Sequence, residues 1–200
     1  MIRRTAIAVV LGAGLAAGSA GVAGAEDEVL KSISEGTDFY NNGEFAEAVT
    51  SLNYAVQLIQ QKKGEALVKL LPEPLDGWSA QDAESQAAGA AMFGGGITAE
   101  RKYEKSDARL TIRIITDSPM MQGVMMMFSN PMFATADGGK LERIGKQKAI
   151  VKYDDANRSG SLQMVVANRF LVMVEGDEVS RDDMLAYANA IDVNKLAGMP

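Results

Sequence analysis

Neither cysteine nor histidine occurs anywhere in the 200-residue chain. Their absence excludes disulfides, thiol nucleophiles, Ser-His-Asp triads, c-type haem attachment and zinc sites built from the usual ligand sets. Only carboxylate, Lys, Ser or Tyr chemistry remains. Tryptophan occurs once, at Trp78, and proline five times, so rigid turns are few. A long apolar run is also missing beyond the first 25 residues, which predicts no membrane-spanning helix in the body of the protein.

The first 25 residues are of a different character. Arg3 and Arg4 precede an apolar stretch from Thr5 to Ala23, diluted by Gly12, Gly14, Gly18, Ser19 and Gly21. Ala23-Gly24-Ala25 then stands directly before Glu26-Asp27-Glu28. A charged start, a short apolar middle and a small-x-small end describe a cleavable secretory signal peptide, and small residues supply too little transfer energy for an anchor. Arg3-Arg4 lacks the strongly apolar pair that follows in twin-arginine leaders, so general secretion is expected. The expected product is a soluble periplasmic protein of 175 residues (200 − 25) beginning at Glu26. Without Arg3 and Arg4, 18 basic residues face 26 acidic ones, a net charge of −8. That balance disfavours nucleic acid and anionic membranes as partners and favours solubility.

Residues 26–63 read as two helices around a tight turn. Phe39 and Tyr40 close the first, Asn41-Asn42-Gly43 breaks it, and Phe45, Ala48, Val49, Leu52, Ala55, Val56 and Ile59 recur at three- and four-residue spacing in the second. Gly36, Phe39, Gly43, Ala48, Leu52 and Ala55 occupy small, aromatic, turn, small, large and small positions, and over residues 29–62 the segment resembles a single tetratricopeptide repeat. Ser32 and Glu35 depart from that pattern where large apolar residues are preferred, and Gln60 where proline is. The resemblance implies a helical hairpin; protein contact is implied where such repeats stack. One repeat cannot bury its own face, so the hairpin is expected to pack on the rest of the chain or, alternatively, on another molecule.

Residues 64–96 read as a connector. Ala66 to Leu71 is apolar enough to be buried, and Pro72-Glu73-Pro74-Leu75-Asp76-Gly77-Trp78 is a rigid turn that delivers the tryptophan. Ser79, with Asp82 behind it, is expected to cap a short helix, and Ala87 to Gly96 is a small-residue stretch expected to be mobile. Trp78 suits a core anchor or, alternatively, a ligand pocket.

From Ile97 the period becomes two. Ile97 to Glu104 and Ala108 to Thr116 flank a turn, and Leu110, Ile112 and Ile114 alternate with Arg109, Thr111 and Arg113. Further strands are expected at 139–144, 148–153, 161–167 and 170–175, with Asn168-Arg169 turning the last pair because Asn tolerates positive φ. A final helix begins at Ser180 and buries Met184, Tyr187, Ala188 and Ile191. Residues 97–200 thus form an α+β unit, an antiparallel sheet of about five strands covered by helices. In order of elements it resembles small domains of the Mog1/PsbP type, a likeness that implies a fold and no site.

Between the second and third strands, residues 118–133 hold six of the twelve methionines, and there Ser118-Pro119 opens a helix that Pro131 closes. The expectation is a crossover helix buried on the sheet, its thioethers filling irregular space. Two alternatives are a soft surface for an apolar or peptide ligand, and a copper(I) site of thioethers centred on Met121 and Met125. Carboxylates give less. Asp154-Asp155, Asp177-Glu178 and Asp182-Asp183 are adjacent pairs that seldom converge on one substrate, Asp154 to Asn157 only partly matches a calcium loop, and Gly94-Gly95-Gly96 lacks the Lys of a phosphate loop. The functional expectation is an exported, non-enzymatic binding or accessory protein of the cell envelope that acts through protein contact and holds no cofactor. Its candidate surface comprises Phe39, Tyr40, Phe45, Leu52, Trp78, Met126 and Phe128. The alternative is a carrier of an apolar ligand or copper(I) on the Met-rich helix 119–133.

Overall fold

The computed structural model describes residues 27–87, 96–130 and 138–199. The expected leader, the small-residue stretch 88–95 and residues 131–137 lie outside the described residues. Helix α1 is Glu28–Asn41 and α2 is Phe45–Val68. Asp27 caps α1 by accepting a 2.9 Å bond from the Val29 N–H, which satisfies one of the donors a helix start leaves free. Gly43 makes the turn at φ +79°, a conformation that favours glycine.

The two helices meet along small residues: Ser32 and Gly36 of α1, with Val29, face Ala48 and Ala55 of α2, and all five are buried. The Ser32 hydroxyl is satisfied within its own helix, donating to the Glu28 carbonyl at 2.8 Å. A methyl group on Gly36 would come within 2.8 Å of Leu52 Cγ, so the axes approach closely.

Contrary to the sequence reading, α2 does not stop near Lys63 but continues through Gly64 to Val68. A glycine within a helix costs about 1 kcal/mol relative to alanine. Here it admits a neighbouring strand, because a Cβ on Gly64 would lie 2.7 Å from Ser85 Oγ. The helix expected at Ser79 is also absent. Strand β1 (Ser79–Ala80) pairs with Glu104 and Tyr103, and β2 (Glu84–Ala87) pairs with Glu100 to Ile97. These segments satisfy the outer edge of β3 (Ile97–Lys105), whose backbone groups would otherwise be unpaired.

The fold is α+β, with an antiparallel sheet of eight strands rather than about five. Strand β4 (Ala108–Thr116) pairs with β3 from Ile97↔Thr116 to Lys105↔Ala108. The chain then crosses, by way of α3 (Met121–Ser129), to the far edge and returns through β5 (Lys140–Ile144), β6 (Gln147–Asp154), β7 (Ser159–Val166) and β8 (Phe170–Asp177). β8 closes the meander against β4, giving the order β1-β3-β4-β8-β7-β6-β5, with β2 also on β3. Along β4, Leu110, Ile112, Ile114 and Thr116 point to the buried face. On the opposite face Arg113 joins Glu100 of β3 and Glu175 of β8, the latter at 2.7 Å.

The buried face is covered by the end of α2, by α4 (Arg181–Ala190) and by α5 (Val193–Ala197), which contribute Leu67, Met184, Tyr187, Ala188 and Leu196 to one core. Ser180 caps α4 as expected, accepting from the Asp183 N–H at 3.0 Å. Arg181 ties the helix to β5 through Glu142 at 2.6 Å. α5, unanticipated from the sequence, is capped by Asp192, whose carboxylate accepts from the Lys195 N–H.

Trp78 is a core anchor and not a surface residue, being 8% exposed. Its ring meets Tyr187 edge-on at 5.2 Å, and Tyr187 meets Tyr103 at 4.5 Å. The Tyr103 hydroxyl donates to the Pro72 carbonyl at 2.7 Å, and the Leu75 N–H donates to the Tyr187 oxygen at 3.2 Å. The proline-rich turn is therefore pinned at both ends by buried phenols.

The expectation of a buried Met-rich crossover helix is not met: α3 has no buried residue. The reason is geometric. α2, α4 and α5 already occupy the sheet face that a crossover helix would cover. Among the described residues no helix is long and apolar enough to cross a membrane.

Candidate functional site

The hairpin puts its small residues inside and its large apolar ones outside. Phe45, Val49, Leu52, Val56 and Ile59 are all exposed on α2, Phe45 by 62%. Their spacing of four, three, four and three residues places them in one stripe, the pattern of a helix that packs against another helix. On α1, Leu30, Ile33 and Tyr40 are exposed at three- and seven-residue spacing. The two stripes share one side of the hairpin. Tyr40 and Phe45 meet edge-on at 5.7 Å at the tip, and Leu52 reaches over Gly36 midway.

The face has a polarity along its length. No charged residue occurs between Ala48 and Gln61 of α2, whereas Glu44 stands at its start and Lys63 follows at the other end of the stripe. Lys62 holds the Asp27 carboxylate at 2.9 Å. That hydrogen bond, with the Val29 N–H, lowers the pKa of Asp27 below the ordinary range. Lys63 lies one turn beyond Ile59 on the same stripe and pairs with Asp117. Asp117 leads directly into α3, where Met126 is 68% exposed and Met120 and Met127 are exposed as well. At the Lys63–Asp117 pair, the hairpin stripe therefore runs towards the Met-rich helix. Exposed apolar surface of this extent marks contact sites in folded proteins.

Of the residues singled out from the sequence, Tyr40, Phe45 and Leu52 lie on this face, Phe39 is half-buried beside the tip, and Trp78 belongs to the core. Met126 is exposed on α3; Met121, Met125 and Phe128 are half-buried there. Leu30 and Ile33 were not singled out. Their signal was the small stripe Ser32-Gly36, which shows where α1 meets α2 and so turns Leu30 and Ile33 outward.

Members of the three carboxylate pairs are held by local hydrogen bonds and ion pairs. Asp154 Oδ1 accepts from the Ala156 N–H at 2.9 Å and Oδ2 from Asn157 Nδ2 at 2.7 Å. The Asn157 side chain is the main cause of a lowered Asp154 pKa. Asp183 bonds Ser180 Oγ at 2.8 Å, and Asp177 lies 3.9 Å from Arg109. Among the described residues no three carboxylates gather to hold a metal ion. Three hollows have charged borders: one of Lys152, Asp154 and Glu175, a second of Lys105, Asp107 and Arg158 at the strand ends, and a third of Lys140, Glu142, Asp155 and Arg181. No family model, curated protein or solved structure matches the chain.

Proposed function

We propose that this is an exported, non-enzymatic accessory protein of the cell envelope that works by protein contact through the apolar face of its N-terminal hairpin. The observation that carries the reading is the exposed stripe from Phe45 to Ile59 on a helix whose far end is fixed to the sheet. Water-facing side chains at helix-packing spacing gain free energy only when another apolar surface covers them, at roughly 25 cal/mol per Å² removed from water. The secretory leader supports the assignment to the envelope. Intact mass of the periplasmic product starting at Glu26 tests that part.

Photo-crosslinking residues placed at Phe45, Val49 and Val56, with Glu35 on the outer side of α1 as control, test the contact. Adducts in the native envelope from the three seam positions and not from Glu35 support the reading. Equal labelling at all four, or none, overturns it.

A second reading rests on α3. Met121 and Met125 share its half-buried side one turn apart while Met126 and Met127 face water, an arrangement open to an apolar ligand or copper(I). Anaerobic Cu(I) titration that saturates at a defined ratio, and fails in Met121→Leu/Met125→Leu, supports it.

A further inference from the structure

We infer that the partner seated on the hairpin face is a second copy of this chain, with the two α2 helices antiparallel about a two-fold axis. The inference rests on the protein-contact reading and gives that contact an occupant.

Three features of the face support it. The first is extent. The exposed parts of Leu30, Ile33, Tyr40, Phe45, Val49, Leu52, Val56 and Ile59 amount to roughly 800 Å², comparable to the area that a stable interface buries per partner. The second is charge. An antiparallel mate brings Glu44, at the start of α2, towards Lys63 of the other copy, which continues the stripe one turn beyond Ile59. A parallel mate would instead set like charges together, which disfavours that register. The third is spacing. A 4-3-4-3 stripe interlocks with its own antiparallel copy when Leu52 faces Val56 and Val49 faces Ile59, and such a surface is self-complementary as a two-fold interface requires.

The same register lays Phe45 over the stem of Lys63 in the second copy. The Tyr40–Phe45 tip then reaches the start of the exposed Met-rich helix, where aromatic rings and thioethers make favourable contacts. One interface would thus cover the hairpin stripe and the exposed methionines of α3 together.

The chain has no cysteine, so single cysteines report without background. Purified Val49→Cys mixed with Ile59→Cys should be joined by a short bismaleimide. Val49→Cys alone should not be, because its two copies stand about 15 Å apart along the axis. Sedimentation should show a dimer, and Val56→Glu should raise its dissociation constant by about 100-fold or more with helicity unchanged. A monomer at about 100 µM, or Val49→Cys joining to itself as readily as to Ile59→Cys, overturns the inference. A monomer whose seam photo-crosslinks to a different protein removes the second copy and leaves the protein-contact reading standing; a monomer without seam adducts removes both.

Discussion

Gly64→Ala should destabilise the protein, and the same substitution should stabilise it once Ser85 is glycine. In an open helix, replacing an interior glycine by alanine gains about 1 kcal/mol. At this position the new methyl meets Ser85 Oγ at 2.7 Å and Ser85 Cβ at 2.9 Å. The Cβ is fixed to strand β2, so it cannot swing away, and α2 must lift from the sheet. Overpacking of this kind costs about 1–3 kcal/mol, leaving a net loss of about 1 kcal/mol after the helix gain. Ser85→Gly removes both obstructing atoms, and the nearest remaining neighbour is Ile97 Cγ2 at an ordinary 3.6 Å. Against that background only the helix gain of about 1 kcal/mol survives. The coupling in the double-mutant cycle is therefore about 2 kcal/mol, within the range seen for residues in contact. Urea unfolding followed by Trp78 fluorescence and by far-ultraviolet dichroism measures all four proteins. If Gly64→Ala stabilises the parent protein, or if the four values add, the close contact of α2 with β2 is wrong.

Burial pushes the Tyr103 phenol above its ordinary pKa, and that of Tyr187 moves the same way for the same reason. In the unfolded chain both ionise near about pH 10, so the native state holds protons that the unfolded state has lost. Stability should be intact below that pH and fall as pH rises beyond it, and Tyr103→Phe should flatten the fall; urea midpoints across that range that stay level would contradict this. Ala167 holds φ +52° in the turn between β7 and β8, and Ala167→Gly should stabilise by about 0.5–1 kcal/mol, seen as a higher urea midpoint at constant slope. Met184→Ala, deep in the core, should cost about 2–5 kcal/mol. Met126→Ala on α3 should lie within about 0.5 kcal/mol of the parent protein, and equal losses at the two sites would refute the exposure of α3.

The strands that could be read from the sequence are those with one buried face. Leu110, Ile112 and Ile114 alternate with polar neighbours, and β4 runs over the residues that this pattern marks. Strands β1 and β2 escaped because Ser79, Glu84, Ser85 and Gln86 do not alternate; they are strands only because β3 offers an unpaired edge. Burial of α3 was misread for a related reason. A segment apolar on nearly every side has no preferred face, so periodicity cannot say whether a sheet covers it. At the hairpin, the apolar stripe of α2 was visible but its direction was not. That depends on which stripe the two helices share, and close packing of Ser32 and Gly36 on Ala48 and Ala55 decides it.

Amide hydrogen exchange of the parent protein against Val56→Glu and Tyr54→Glu tests the hairpin face most directly. Both residues are exposed on α2, and Tyr54 lies on the side away from the stripe. The account predicts that residues 45–59 exchange faster in Val56→Glu than in the parent protein, that Tyr54→Glu matches the parent, and that β4 and β8 keep parental rates in both. Equal exchange in the two variants would contradict it, because a charge on the stripe would then disturb nothing that a charge on the opposite side does not.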